Sequence, residues 1–137
     1  MYQPPSSGCK GLSGDAISLF NKLQSEHSLK YIIYTITPEE NLISVLKSSP
    51  SGDYSSFLSE LPDSECRYAV YSFGDDQDYT IFINWLPDGA KVMDRELFVE
   101  SSVVLQREMM GLKPGARFEV SEKGSLAEEV VKRKIGL

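Results

Sequence analysis

Residues 66–111 read CRYAVYSFGDDQDYTIFINWLPDGAKVMDRELFVESSVVLQREMMG, and this stretch decides the fold. Two runs rich in aromatic and β-branched residues, 67–73 and 79–85, flank a short acidic segment, Gly74-Asp75-Asp76-Gln77-Asp78. That pattern predicts a β-hairpin. Leu86-Pro87-Asp88-Gly89 ends the second strand, because proline cannot donate to a ladder and glycine frees the backbone. Beyond it the period changes: Leu97, Val104, Leu105 and Met109 recur at helical spacing up to Gly111, which reads as a helix C-cap. A hairpin feeding a long helix is therefore the expected centre of the molecule.

Upstream of this centre, residues 1–12 hold Pro4, Pro5, Ser6, Ser7, Gly8 and Gly11 and read as a flexible arm. Ser13 caps an expected helix over 14–26, with Ala16, Phe20 and Leu23 on one face. Residues 29–35 (LKYIIYT) have almost no polar face, so this strand is expected near the middle of the sheet. A shorter strand follows at 42–46, then a Ser/Pro/Gly loop at 48–53. Tyr54, Phe57, Leu58 and Leu61 have the spacing of a short amphipathic helix over 53–61, and Pro62 stops it.

Downstream, Pro114-Gly115 turns the chain into a last strand at 117–120. Ser125 through Glu128 reads as a capping box that opens a terminal helix through Lys134. The whole is expected to be a mixed α/β fold, with about five strands in a central mixed sheet and helices on both faces. It divides into the arm, 1–12, and one domain, 13–137. There is no internal repeat.

Composition narrows the function. The chain has 137 residues, 41% apolar and 25% charged, enough for one domain with a real core. No apolar run approaches the roughly 20 residues that span a bilayer, and residues 1–15 lack a signal-like apolar segment. A formal net charge of -6 argues against nucleic acid as partner, since that affinity comes mainly from basic groups. Two cysteines, Cys9 and Cys66, make neither a disulfide framework nor a four-ligand zinc site. The single histidine, His27, has no visible catalytic partner, and no P-loop, H-E-x-x-H or G-x-G-x-x-G motif occurs. Clusters such as Asp75-Asp76-Asp78 read as solvated surface. Neither an enzyme nor a metal or cofactor site is expected.

Several segments, in order and at matching gaps, resemble the actin-depolymerising factor/cofilin family from Ser7-Gly8 to the terminal helix. They are Lys30-Tyr-Ile-Ile-Tyr34, Leu61-Pro62 followed by Cys66-Arg-Tyr-Ala-Val-Tyr71, Ile81-Phe-Ile-Asn-Trp85 with Pro87, Arg95-Glu-Leu-Phe98 with Ser101, and Leu105 through Gly111. The resemblance implies the ADF-homology fold and a cytoplasmic, cytoskeletal, monomeric actin binder with no catalytic activity. It places actin-monomer contacts at Ser7, Gly8, Met93, Arg95, Glu96, Ser102, Gln106 and Arg107. It also makes Ser6 and Ser7 the phosphorylation candidates. Filament contacts fall at Asp76, Asp78, Lys132 and Arg133, and phosphoinositides are a further candidate ligand.

The chain departs from the family pattern in charge. The basic pair before the family's "M.YASS" segment aligns with Met93 and Arg95, and the family methionine with Glu96. A further basic cluster aligns with Ser102, Gln106, Arg107 and Glu108. At the hairpin, positions that are basic in the family align with Asp76, Gln77, Asp78 and Tyr79, so the expectation is monomer binding with weaker filament decoration and severing. A glia-maturation-factor-like binder of the actin-related branching complex is the alternative on the same fold. An α/β hydrolase or transferase is the alternative of another class, disfavoured by the missing catalytic constellation.

Overall fold

The computed structural model describes residues 9, 11–26, 28–73, 79–108 and 116–136. Its strands are β1 (Gly11–Leu12), β2 (Tyr31–Thr37), β3 (Leu42–Ser49), β4 (Arg67–Ser72), β5 (Thr80–Trp85) and β6 (Arg117–Val120). Its α-helices are α1 (Gly14–Asn21), α2 (Tyr54–Ser59), α3 (Val92–Gln106) and α4 (Glu128–Lys134). The six strands lie in the order β1-β3-β2-β4-β5-β6. The four middle strands are antiparallel neighbours, and each edge strand is added parallel, β1 on β3 and β6 on β5.

Alternation along the strands builds two cores. Ile32, Tyr34, Tyr68, Val70 and Phe82 face one side, where Ala16 and Phe20 of α1 and Phe98 and Leu105 of α3 cover them. Ile33, Ala69, Tyr71, Ile81, Ile83 and Trp85 face the other, under Tyr54 and Phe57 of α2 and Val131 of α4. The strand read as central, β2, does lie inside the sheet between β3 and β4, and it is buried along nearly its whole length.

Local chemistry sets the element ends. The Ser13 hydroxyl accepts from the Ala16 amide, so the expected N-cap forms, and Asp53, read as the first residue of its helix, caps it, its carboxylate accepting from the Ser56 amide at 2.8 Å. The β2–β3 turn closes through the Asn41 amide donating to the Thr37 carbonyl at 2.7 Å, with Asn41 in the left-handed region at φ 55°. Gly89 is required for another reason: a Cβ there would lie 2.5 Å from the Asp63 carbonyl oxygen. That close approach fixes the corner between β5 and α3.

Besides shifts of one or two residues at β2 and α2, four features differ from the expectation. The end of the segment read as an arm is ordered: Gly11 and Leu12 pair with Leu42 and Ile43, and the Ser13 amide donates to the Ile43 carbonyl. The α1 helix ends at Asn21 and continues as a wider π turn over Lys22–Glu26 that seats Leu23 in the core. Strand β3 runs on to Ser49 because Ser48 and Ser49 pair with Ile32 and Tyr31, overriding their loop-like composition. The Ser125 capping box does not form. Ser125 lies within a 3-10 turn, Lys123–Leu126, and Ala127 precedes α4 with no side-chain cap. Burial of Leu126, whose carbonyl accepts the Tyr54 hydroxyl at 2.7 Å, holds that turn against the local pattern. The expected cap at Gly111 and turn at Pro114-Gly115 lie outside the described residues, as does His27.

Candidate functional site

Helix α3 has two unlike sides. Its inner side carries Phe98, Ser101 and Leu105, all buried. Val92, Val99 and Val103 stand seven and four residues apart, which aligns them on the opposite side. They are 65%, 42% and 49% exposed, and neighbouring Met93 is 80% exposed. A helix face of valines turned to solvent costs solubility unless something covers it.

The stripe borders a groove of about 370 Å³ between α3 and the far end of the sheet. Leu86, Val92 and Val99 provide its apolar lining. Arg95, Glu96, Glu100 and Glu119 provide its charged rim. Glu119 arrives from β6, where alternation sends Phe118 into the opposite core and leaves Glu119 exposed on this side. Arg95 is only half free: its Nη2 lies 3.8 Å from Asp88 Oδ1, and its Nε is buried with no hydrogen-bond partner. One guanidinium therefore faces three rim carboxylates.

The residues expected to contact a monomer separate accordingly. Met93, Glu96 and Arg107 are exposed, while Arg95 and Gln106 are half-buried. Ser102 differs from the others: it is only 9% exposed, and its hydroxyl donates to the Val99 carbonyl at 2.9 Å inside the helix. Its angular position, beside Phe98 rather than Val99, turns it inward. Ser6, Ser7 and Gly8 lie outside the described residues. The next residue, Cys9, is buried, and its amide donates to Ser101 Oγ on α3 at 2.8 Å. The chain entering the domain is thereby fastened to the same helix.

A second surface lies on the opposite face of the sheet. The Phe73 amide donates to the Tyr79 carbonyl at 3.0 Å and closes the base of the β4–β5 hairpin. Lys132 of α4 sits 5.5 Å from the centre of the Phe73 ring, so α4 and the hairpin base are adjacent. Lys132 also pairs with Glu128 at 2.7 Å, and Lys134 lies over Phe118. Arg133 is exposed, and among the described residues it makes neither kind of contact. Asp76 and Asp78 lie outside the described residues.

Burial pushes the Cys66 thiol up to about 11, aided by nearby Asp94, which keeps it protonated and a poor nucleophile. Among the described residues no group of acidic, histidine or cysteine side chains is placed to hold a metal. Among them, too, no helix is long and apolar enough to cross a membrane. The sequence reading had missed Val99 and Val103. Their spacing of four, offset by half a turn from Phe98 and Leu105, was the available signal.

The sequence and the fold have known relatives. A cofilin of Mycosarcoma maydis is 36% identical over 113 residues, covering 78% of this chain and 81% of its own length. A cofilin of Schizosaccharomyces pombe is 31% identical over 134 residues, 94% of this chain and 96% of its own. The crystal structure of a Streptomyces griseoflavus cofilin superposes with a TM-score of 0.80 at 31% identity, covering 90% of this chain and 95% of that one. The family model for cofilin/tropomyosin-type actin-binding proteins matches residues 9–136, and the chain, with its six-stranded sheet and outward α3, belongs to that family.

Proposed function

We propose that this protein binds actin subunits in the manner of a cofilin and promotes filament turnover, acting as a cytoplasmic monomer without catalytic activity. The observation that carries this reading is the solvent-facing stripe Val92, Val99 and Val103 on the helix to which Cys9 is hydrogen-bonded. A stripe of that kind supplies contact area, and an arm fastened beside it extends the area along one partner. Arg95 and Arg107 provide the positive contacts, with Met93, Glu96 and Gln106 around them. The Ser6-Ser7-Gly8 segment completes the surface, and a phosphate there would repel an acidic partner.

Filament side-binding is the weaker activity in this proposal. The second surface offers few free cations: Lys132 is held by Glu128 and Phe73, leaving Arg133 as the exposed charge of the pair. Asp76 and Asp78 in the hairpin would oppose an acidic filament. Phosphoinositide contact, where it occurs, would use the same cations.

The deciding experiment measures affinity for monomeric actin and co-sedimentation with filaments. Wild type should bind monomers and decorate filaments weakly, more weakly at low salt, where the hairpin carboxylates are least screened. Val99→Asp should lower monomer affinity by more than about tenfold with unchanged circular dichroism, because an interface-centre residue is being charged. No binding to actin, with binding to the actin-related branching complex instead, would replace this reading with the glia-maturation-factor-like one.

A further inference from the structure

The rim of the α3 groove has a sign that a basic actin-binding helix would not have. Glu96 and Glu100 stand one helical turn apart on α3, and Glu119 faces them from β6 across a lining of Leu86, Val92 and Val99. Among the described residues, neither Glu96 nor Glu119 is engaged in an ion pair. Arg95, the one cation of the rim, is turned toward Asp88. Three carboxylates around an apolar floor form a shape with a definite complement. A lysine or arginine fits it: the aliphatic stem covers the valines and the leucine while the cationic head reaches the carboxylates. An acidic or purely apolar side chain would leave Glu96 and Glu119 partly desolvated and unpaired.

We propose that the groove between α3 and β6 receives a basic side chain, lysine or arginine, projecting from the surface of the bound actin-family subunit, and that Glu96 and Glu119 are its partners. The inference rests on the proposed function and adds the chemistry of the contact. It makes the binding face bipolar. Arg95 and Arg107 meet acidic groups of the partner, and the groove meets a basic one. It also inverts the usual expectation for this protein's charge. Removing negative charge from a face that docks on an acidic protein should ordinarily strengthen binding; here it removes the groove's half of an ion pair.

The test compares three variants of the full chain in monomeric-actin binding, with circular dichroism as the folding control: E96Q/E119Q, E96K/E119K and V99D. Both glutamates are exposed, so the substitutions leave the core intact. The inference expects E96Q/E119Q to bind about tenfold more weakly and E96K/E119K more weakly still. If V99D loses binding while E96Q/E119Q binds as well as or better than wild type, the inference falls and the proposed function stands. If wild type fails to bind actin at all, both fall. Sedimentation velocity without actin covers the remaining occupant: a dimer that V99D abolishes would assign the groove to a second copy of this chain and overturn the inference.

Discussion

The two faces of the sheet are built to different standards of completion. Under α2 and α4, Tyr31, Tyr54, Phe57, Tyr71 and Phe73 form one aromatic cluster with centroids 4.9–5.7 Å apart. The polar tips of that face are satisfied: Tyr54 donates to the Leu126 carbonyl, Tyr71 to that of Gly52, and Trp85 Nε1 to that of Pro62. Under α3 the picture changes. Tyr34, Tyr68 and Asn84 lie in a row across β2, β4 and β5. Among the described residues Tyr68 alone of the three has a partner, donating to the Phe98 carbonyl; the Tyr34 hydroxyl and both polar atoms of the Asn84 amide have none. Buried polar groups without partners cost about 1–3 kcal/mol each. The helix bearing the exposed valine stripe therefore rests on the less satisfied bed, and the stabilising packing is concentrated on the opposite side. Departures from local consistency are expected where a surface serves binding.

The largest test of this division is Phe57→Ala. Phe57 is fully buried and touches the rings of Tyr31, Tyr54 and Tyr71. Its truncation should cost about 3–5 kcal/mol in urea unfolding, yet leave actin affinity of the remaining folded protein unchanged, since the ring lies across the sheet from α3. A loss of affinity in the folded fraction would mean that the faces are not separable.

Alkali should break both faces together. Burial raises the pKa of Tyr34, Tyr54 and Tyr68, and burial first, with Glu128 and Asp53 adding, pushes Tyr71 up to about 12. The protonated phenol is the neutral form, so the folded state holds these protons more tightly than the unfolded chain, whose tyrosines titrate near 10. The stabilisation is complete below about pH 10 and is lost as pH rises through about 12. Tyrosinate absorbance should lag in the folded protein and then rise together with loss of circular dichroism. A smooth titration near 10 in the folded protein would contradict the burial of these hydroxyls.

The faces should answer the same chemical change with opposite signs. Tyr54→Phe strands the buried Leu126 carbonyl and should lower stability by about 1–3 kcal/mol. Tyr34→Phe removes an unpartnered hydroxyl and should leave stability equal or raise it by up to about 1 kcal/mol. Equal losses in both would show that Tyr34 has a partner after all.

These contrasts also explain what was legible in the sequence. The middle strands were, because β-branched and aromatic runs have few alternatives. The cap at Ser13 was, because it is local. Strand β1 was not: Gly11-Leu12 has no strand signal of its own and forms because β3 presents a free edge and Cys9 is held by Ser101. The Ser125 box failed because a distant hydroxyl, that of Tyr54, fixed the turn. At the proposed binding face, Met93, Arg95 and Glu96 were named from the resemblance. The groove was not, since Glu119 reaches it from a strand that follows α3 by more than ten residues.

Ser101 and Ser102 give the smallest and most local contrast, because two adjacent hydroxyls on α3 do different jobs. Ser101 is fully buried and accepts from the Cys9 amide, which lies 92 residues away in sequence. Ser101→Ala leaves that buried donor unpaired and should cost about 1–3 kcal/mol. Because the bond also fastens the entering chain to α3, actin affinity should fall as well. Among the described residues Ser102 bonds to Val99, within the same helix, where the carbonyl keeps its helical partner. Ser102→Ala should therefore change stability by less than about 0.5 kcal/mol and leave actin affinity within twofold, even though the family resemblance places a contact there. Paired measurements of melting temperature and monomer affinity decide the matter. A large affinity loss in Ser102→Ala alone would restore Ser102 to the interface and require α3 to rotate when it binds.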